Sequence, residues 1–185
     1  MKNKTLWIIL GIIVVVGIYV WSGYNGLITK SENVTNQWAQ VETQYQRRFD
    51  LIPNLVESVK GIFEQEQTVF SNLAEARTRY AGAVTISEKA AAATEVESAL
   101  ARLLVVVENY PQLRSSESVQ TLMVQLEGTE NRVSVERKRY NDAVRTLNVA
   151  VKRFPTNVIA GIFGFSEETY FEAAEGAEAV PEVAF

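Results

Sequence analysis

The side chains that could carry out chemistry in this 185-residue sequence are carboxylates, lysines, arginines, hydroxyls and phenols, because it contains neither histidine nor cysteine. Ser-His and Cys-His dyads, zinc sites of the HExxH type, histidine-ligated haem, iron-sulfur clusters and disulfides are therefore excluded. We expect no cofactor, no metal site and no catalytic residue that depends on an imidazole or a thiolate.

The remaining reactive residues do not have catalytic spacing. Glu64 and Glu66 are two positions apart and would point to different faces of a helix. Ser58 and Lys60 do not have the S-x-x-K spacing that places both side chains on one helical face. The Glu-x-x-His motif of di-iron bundles, the glycine-rich phosphate motifs and the G-x-S-x-G elbow are also missing. The sequence predicts a protein that is not an enzyme.

A charged cluster, QRRFDLIPNLV at residues 46–56, interrupts a helical pattern. An arginine pair that binds lipid phosphate is one interpretation, but these residues lie ~30 Å along a helix from the amino-terminal apolar run. We favour a structural or interaction role near a bend for Arg47, Arg48, Asp50, Pro53 and Asn54.

Two charges, Glu130 and Arg137, interrupt the apolar stripe of the last long helix. Polar residues at core-facing positions usually pair with one another or with a neighbouring helix and can determine register. Arg47, Arg48 and Asp50 are the candidate partners from the first helix.

The apolar run near the amino terminus is long enough to cross a membrane. Residues 6–21 are apolar throughout, and residues 5–24 reach the roughly 20 positions that a span needs. A cleavable signal peptide is the alternative, but no A-x-A site follows and the run is long for such a peptide. We therefore predict a retained anchor, formed by Leu6, Trp7, Ile8, Ile9, Leu10, Ile12, Ile13, Val14, Val15, Val16, Ile18, Tyr19, Val20 and Trp21.

The charges around this run predict its orientation. Lys2 and Lys4 precede it, and Lys30 and Glu32 follow it. The positive-inside rule then places the amino terminus in the cytoplasm and the remaining chain on the periplasmic or extracytoplasmic side. We expect a single-pass protein of the inner (cytoplasmic) membrane whose partner is the lipid bilayer. The net charge of −4 gives no indication of a nucleic-acid partner.

Hydrophobic spacing predicts helices beyond the anchor. The first stripe continues in phase across Pro53, which we interpret as a kink within one long helix over residues 27–80. A helix that ends near Asp50 and another that begins at Pro53 are the alternative. Arg48 and Glu66 are the charged exceptions in a stripe that comprises Val34, Trp38, Val41, Tyr45, Ile52, Leu55, Val59, Ile62, Val69, Leu73, Ala76 and Tyr80.

Two further helices complete the predicted architecture. One runs over residues 87–110 and is closed by Pro111, and the other begins after Ser115 or Ser116 and ends at Arg153. The fold class is all-α: an N-terminal transmembrane helix, a long antiparallel up-and-down bundle of three to four helices, and a non-regular apolar and acidic tail. The corresponding segments are residues 1–26, 27–153 and 154–185.

The tail begins at Phe154 and Pro155 and has two parts. The apolar strip at residues 158–165, VIAGIFGF, contains Ile162, Phe163 and Phe165, and its glycines favour an extended segment. Membrane insertion, partner binding and docking on the chain's own bundle remain open for this strip. From residue 166 to Phe185 there are six glutamates and no basic residue. This acidic part could lie on the basic end of the last helix, in the same or a neighbouring protomer, or remain solvated.

Several motifs together resemble the LemA family. The resemblance implies a bacterial, membrane-anchored protein with a soluble antiparallel bundle, often of four helices, and it implies no catalytic residue, cofactor or substrate. A four-helix count favours a hairpin at Pro53 over a kink. The motifs are YNGLI (24–28), WAQVETQYQRRFDLIPNLVESVKG (38–61), AR (76–77), YN (140–141), FPTNVIAGIFGF (154–165), YF (170–171) and the final VAF.

Two functional hypotheses follow from this architecture. In the first, the protein is a non-enzymatic scaffold of the bacterial cell envelope that self-associates into a higher homo-oligomer, because an anchor confines every copy to one plane. In the second, it is a membrane-tethered adaptor or regulator that binds an envelope enzyme, protease or transporter.

Overall fold

Helices account for all the regular structure in the part of the chain that the computed structural model describes, residues 2–59 and 66–171. The all-α class predicted from the sequence is confirmed. The helices are α1 (Lys2–Ser58), α2 (Gln67–Gly82), α3 (Ile86–Asn109), α4 (Pro111–Arg114), α5 (Glu117–Lys152) and α6 (Thr156–Phe163).

One compact unit is an up-and-down bundle of four helical segments, made by Trp38–Lys138 together with Phe171. It contains the end of α1, all of α2 and α3, and the beginning of α5. Tyr80 near the end of α2 packs on Tyr45 and Phe49 of α1, and Arg79 of α2 pairs with Glu95 near the middle of α3. These contacts, together with the pair of Glu97 on α3 and Arg137 on α5, show that successive long helices run antiparallel. Each segment buries one apolar stripe against the others, as the period of three and four residues predicts.

The second compact unit comprises residues 2–37 and Arg139–Tyr170. It contains the first part of α1, the end of α5, α6 and the non-regular segment after α6. Its buried side chains come from all three helices: Leu27, Val34, Tyr140, Ala143, Val144, Leu147, Ile159 and Ala160. The dividing points of the two units fall inside α1 and α5. The predicted boundaries at residues 26 and 153 stay a prediction.

The path of the chain around Pro53 agrees only in part with the interpretation of one long helix. Helix α1 continues through Pro53 to Ser58, so the chain does not turn at Pro53. However, Glu66 is non-helical, with φ −116° and ψ 26°, and α2 begins at Gln67. The single helix over residues 27–80 is therefore wrong. The stripe kept its phase because α1 and α2 each turn a helical apolar face toward the same core.

The apolar strip of the tail also differs from its prediction. Residues 156–163 form helix α6 and are not extended. Gly164 follows α6 in the left-handed conformation, with φ 78°, and the amide of Phe165 closes the end by donating to the Ala160 carbonyl. This glycine therefore terminates a helix, as a C-cap glycine does, and does not weaken one. Beyond it, residues 165–171 are non-regular, as predicted.

Candidate functional site

The predicted anchor is exposed along its length. Helix α1 is the one helix in the described residues that is long and apolar enough to cross a membrane, and its most apolar window has a mean hydropathy of 2.3. None of that window is buried. Trp7 and Trp21, near the two ends of the run, are 69% and 68% exposed. Such a surface is suited to lipid, because lipid-facing side chains need no protein partner.

Helix α6 packs on α1 immediately after this run. Gly23 of α1 provides the space, since a Cβ atom at that position would lie 2.5 Å from Cδ1 of Ile159. The Tyr24 ring lies 4.7 Å from the Phe163 ring and 5.9 Å from the Phe165 ring, measured between centroids. Ile159 and Ala160 are buried by this packing. The absence of a side chain at Gly23 thus positions α6.

Several apolar side chains in and just before α6 are exposed. Phe154, Val158, Ile162 and Phe163 are 77%, 52%, 70% and 49% exposed. The eight residues of α6 include no charged side chain. These four exposed apolar residues are together called the α6 face below, and Phe163 is the one among them that also contacts Tyr24.

A groove of about 640 Å³ lies in the same unit, between α1, α5 and the start of α6. Lys30, Arg145 and Arg153 contribute three cations to its wall, and Asp142 contributes one carboxylate. None of the three cations is within ion-pair distance of a carboxylate in the described ranges. The remaining lining residues are Gly23, Gly26, Leu27, Thr146, Val149, Ala150 and Thr156.

The segment after α6 is held on α5 by the side chains of three α5 residues. The side-chain amide of Asn148 donates to the carbonyl of Glu168 and accepts from its N–H, both at 2.8 Å. Tyr140 Oη donates to the carbonyl of Thr169 at 2.9 Å, and Lys152 Nζ lies 2.6 Å from a Glu167 carboxylate oxygen. Burial, assisted by the charge of Glu168, raises the pKa of Tyr140 to about 12. The first acidic residues of the tail thus lie on α5 of their own chain, and residues 172–185 are outside the described part.

A separate cluster of charges is buried in the four-helix bundle. Arg48 of α1 pairs with Glu130 of α5, and its Nη1 lies 3.5 Å from a Glu97 oxygen on α3. Arg137 of α5 pairs with the same Glu97. The side chain of Arg48 is 8% exposed, and those of Glu97 and Arg137 are 20% exposed. One carboxylate on α3 therefore joins two arginines from α1 and α5.

Tyr45 completes this charge cluster. Its hydroxyl donates to Glu97 at 3.0 Å and accepts from Nε of Arg137 at 2.9 Å. Burial first, and the charge of Glu97 second, raise the pKa of Tyr45, so the hydroxyl keeps its proton and donates its hydrogen bond to Glu97. Burial alone would lower the pKa of Arg137, but its bonds to Glu97 and Tyr45 raise it overall.

Phe171 covers the cluster within the same unit. Its ring centroid is 6.3 Å from that of Trp38 and 6.5 Å from that of Tyr45. The Arg137 guanidinium carbon lies 4.4 Å from the Phe171 centroid, a cation–π distance. Tyr45, Glu97 and Arg137 are thus bonded to one another beneath Phe171, whereas Glu130 at the edge of the cluster is 44% exposed. In the described residues, no group of three or more acidic side chains is arranged to hold a metal ion.

Comparison with known proteins identifies the family. The profile described as LemA family matches residues 37–185, well over half of the chain. This chain belongs to the LemA family. The resemblance inferred from the sequence motifs is confirmed.

This LemA-family chain is also similar to three curated proteins. Magnetosome proteins MamQ 1 and MamQ 2 of Paramagnetospirillum magneticum are each 27% identical to it over 175 aligned residues. Magnetosome protein MamQ of Magnetospirillum gryphiswaldense is 25% identical over 174 residues. Each alignment covers 80% of this chain, and the chain spans 64% of each relative's length.

The LemA motif residues singled out from the sequence lie in different surroundings. Arg48 is buried against Glu130, one of the partners considered for it, whereas Arg47, Pro53 and Asn54 are exposed on α1. Asp50 is exposed too and accepts a hydrogen bond of 2.8 Å from the Gln46 side chain. The structural or interaction roles of these residues stay predictions.

The tail residues of the same motif set lie around α6. Pro155 follows a cis peptide bond and precedes α6, and Phe165 is half-buried beside Tyr24. Ile162, Phe163 and Phe154 form much of the α6 face. Phe185 lies outside the described residues.

Sequence reasoning missed several residues of these sites. Tyr45 belongs only to the apolar stripe in the sequence, and Gly23, Glu97, Asp142 and Asn148 do not stand out by spacing. Glu97 directly follows Val96, which is fully buried on α3, so its position at the edge of the core stripe was a usable signal. The pairing of Asn148 with a backbone segment beyond the last long helix had no signal in the spacing.

Proposed function

We propose that this LemA-family chain is a membrane-anchored, non-enzymatic helical scaffold of the bacterial cell envelope that self-associates into a higher oligomer. The observation that carries the proposal is the continuity of α1 from Lys2 to Ser58. The same helix exposes the apolar run and then contributes the core-facing residues Val41, Tyr45 and Ile52 to the bundle. Residues 2–58 contain no non-helical residue.

The buried charge cluster supports a structural role for the bundle. Catalytic groups are usually found in a cleft with a strongly shifted pKa and access to substrate. Here Arg48, Glu97, Arg137 and Tyr45 bond to one another under Phe171. Such a network can determine which helix faces which neighbour. The names of the relatives refer to a cellular structure, the magnetosome, and to no reaction.

Self-association follows from confinement in the membrane. An anchor holds every copy in one plane, which raises the effective concentration and lets weak contacts between unlike surfaces close rings or extend arrays. The bundle unit exposes isolated valines that could take part, since Val105, Val124 and Val135 are 58%, 69% and 49% exposed. We place the anchor in the cytoplasmic membrane as a single span. The bundle then lies on the periplasmic side, because Lys2 and Lys4 precede the run.

Light scattering of the detergent-solubilised full-length protein tests the proposal. We expect a protein mass far above the 20.7 kDa of one chain. Deleting residues 157–185 should reduce the number of chains in the assembly, beyond the loss of mass from each shortened chain. The paired variants Val124→Lys and Val135→Lys test the bundle surface without removing α6. The control is Thr78→Lys, at an exposed position of α2. A monomer at all micromolar concentrations would contradict self-association.

A membrane-tethered adaptor for an envelope enzyme, protease or transporter is the second candidate. The observation in its favour is an open, mainly apolar cleft of about 300 Å³ between α1 and α2, beside Pro53, Val56 and Phe70. Crosslinking in cells would then recover a stoichiometric partner other than the chain itself, and Val56→Glu would abolish its capture.

A further inference from the structure

We propose that α6 is a second membrane-contacting element. It lies in the interfacial layer beside the anchor and inserts the α6 face, Phe154, Val158, Ile162 and Phe163, among the lipids. This inference rests on the proposed function, because it requires that α1 crosses the bilayer.

The position of α6 along α1 is the first argument. Its contacts are with Gly23 and Tyr24, which follow the last residue of the apolar run, Trp21, by two and three positions. That is ~3–5 Å along a helix. Tryptophan and tyrosine at the ends of a membrane span lie at headgroup level. Residues that pack on Tyr24 therefore lie at the boundary between acyl chains and headgroups.

The composition of α6 is the second argument. Ile159 and Ala160 are the residues of α6 that are buried against the rest of the chain. Three further large apolar side chains of the helix remain exposed, together with Phe154. An exposed apolar cluster of this kind usually marks an interaction surface. It is continuous with the apolar run through the contact between Tyr24 and Phe163. This continuity selects the bilayer that holds the run as the occupant, ahead of a second copy of the chain.

Depth measurements on single labels provide the test, and the absence of native cysteine makes each label unique. The full-length protein is reconstituted into phosphatidylcholine vesicles with a polarity-sensitive fluorophore on Ile162→Cys or Val158→Cys. Ile13→Cys reports the anchor, and Val84→Cys, at a site that is 86% exposed, reports the bundle surface. Lipids carrying a spin-label quencher near the headgroup or at the acyl end supply the depth.

The expected result is quenching at positions 158 and 162 by the shallow quencher, with a loss of about half the emission for a label ~5–10 Å below the surface. Position 13 should respond to the deep quencher and position 84 to neither. If position 13 responds and positions 158 and 162 do not, α6 is not a membrane element. A blue-shifted but unquenched label there would mean that another protein copy covers α6, which also overturns the inference. If position 13 fails to respond, the anchor proposal fails instead.

The groove next to α6 carries a second inference from a different observation, and it also rests on the proposal that α1 crosses the bilayer. We infer that it binds the phosphate of an anionic lipid headgroup. Three cations, Lys30, Arg145 and Arg153, line its wall against the single carboxylate of Asp142, and no described carboxylate pairs with them. Gly26 and Lys30 are five and nine residues beyond Trp21, or ~8–14 Å along the helix. A lysine or arginine side chain reaches the headgroup layer from that distance.

Native mass spectrometry of the full-length protein with phosphatidylglycerol or phosphatidylcholine tests this site. Phosphatidylglycerol should remain bound, and its occupancy should fall about fivefold for each cation removed in the series Lys30→Gln, Arg145→Gln and Arg153→Gln. The control, Arg47→Gln with Arg102→Gln and Arg132→Gln, removes three exposed charges from the other unit. Equal losses in both series would show general electrostatic attraction and overturn the site. Displacement of the lipid by millimolar inorganic phosphate would assign the site to free phosphate instead.

Discussion

Glu97 is the residue on which the buried charges of the bundle depend. It accepts from Tyr45, pairs with Arg137 and lies 3.5 Å from Arg48. Glu97→Ala would leave two largely buried arginines with less compensation, and we expect a loss of about 3–5 kcal/mol of unfolding free energy. Urea denaturation measures this loss. Glu97→Gln should lose less unfolding free energy, because glutamine keeps an oxygen that can accept hydrogen bonds from Tyr45 and Arg137.

The matched control for Glu97 is Glu95 on the same helix. It pairs at 2.9 Å with Arg79, whose side chain is 55% exposed. Glu95→Ala should change the urea midpoint little, since exposed ion pairs are screened by solvent. Equal effects of the two alanine substitutions would contradict a structural role for the buried cluster.

The buried tyrosines predict a loss of stability in alkali. Burial raises the pKa of both Tyr80 and Tyr140 to about 12, whereas an unfolded tyrosine titrates near pH 10. The contribution of these two phenols to the free energy of unfolding is complete below about pH 10. It falls as the pH rises toward about 12, because the tyrosines lose their protons in the unfolded chain before they lose them in the folded protein.

Urea midpoints measured between pH 8 and pH 12 test this dependence. The wild-type midpoint should decline above pH 10, and Tyr80→Phe should make the decline shallower, because phenylalanine keeps the ring contacts with Tyr45 and Phe49. A decline of the same slope in Tyr80→Phe would show that other groups cause it.

Among the helices, α6 depends on a close approach to α1. Gly23→Leu would place a side chain where Ile159 lies and should release α6, whereas Gly26→Leu, with nothing within 4 Å of its Cβ position, should not. Limited trypsin digestion reports the difference as faster cleavage after Arg153. Equal cleavage of the two variants would contradict the packing.

Helix α3 has a complete capping box at its start. Thr85 Oγ1 accepts from the Glu88 N–H at 3.2 Å, and the Glu88 carboxylate accepts from the Thr85 N–H at 3.0 Å. Thr85→Ala should cost about 1 kcal/mol of unfolding free energy. Thermal unfolding measures this cost as a lower midpoint temperature. The control is Thr78→Ala, at an exposed position within α2, which should not lower the midpoint by a comparable amount.

Helix boundaries could be predicted where local chemistry marks them. The predicted helix over residues 87–110 is α3 to within one residue at each end, because the loop before it and Pro111 after it are local signals. The break between α1 and α2 could not be predicted from periodicity, since a stripe records which side of a helix is apolar and not whether the helix is continuous. Glu66 was a signal, because this exception to the stripe is the residue that precedes α2.

The candidate sites were harder to predict than the helices. Arg48 and Glu130 were recognised as polar residues in apolar stripes, but Glu97 joins them only because α3 packs beside α1 and α5. Likewise, the α6 face depends on where α6 packs on α1. The glycines of the strip could be interpreted either as weakening a helix or as ending one, and spacing alone did not decide between the two. Contacts between distant segments arise from tertiary packing, which sequence spacing does not contain.

At the scale of the whole molecule, the scaffold can be anchored only if the apolar run stays attached to the bundle. Residues 6–21 belong to the same helix as the buried Val34, Trp38 and Val41. A retained run of this length has ample apolar surface to hold the chain in a bilayer.

The most direct test is the intact mass of the polypeptide in membranes washed with alkaline carbonate, after expression of this chain in a bacterial host. We predict that the chain stays in the washed membrane pellet with its full mass of 20.7 kDa. A shorter chain in the soluble fraction that has lost residues 6–21 would contradict the anchored scaffold.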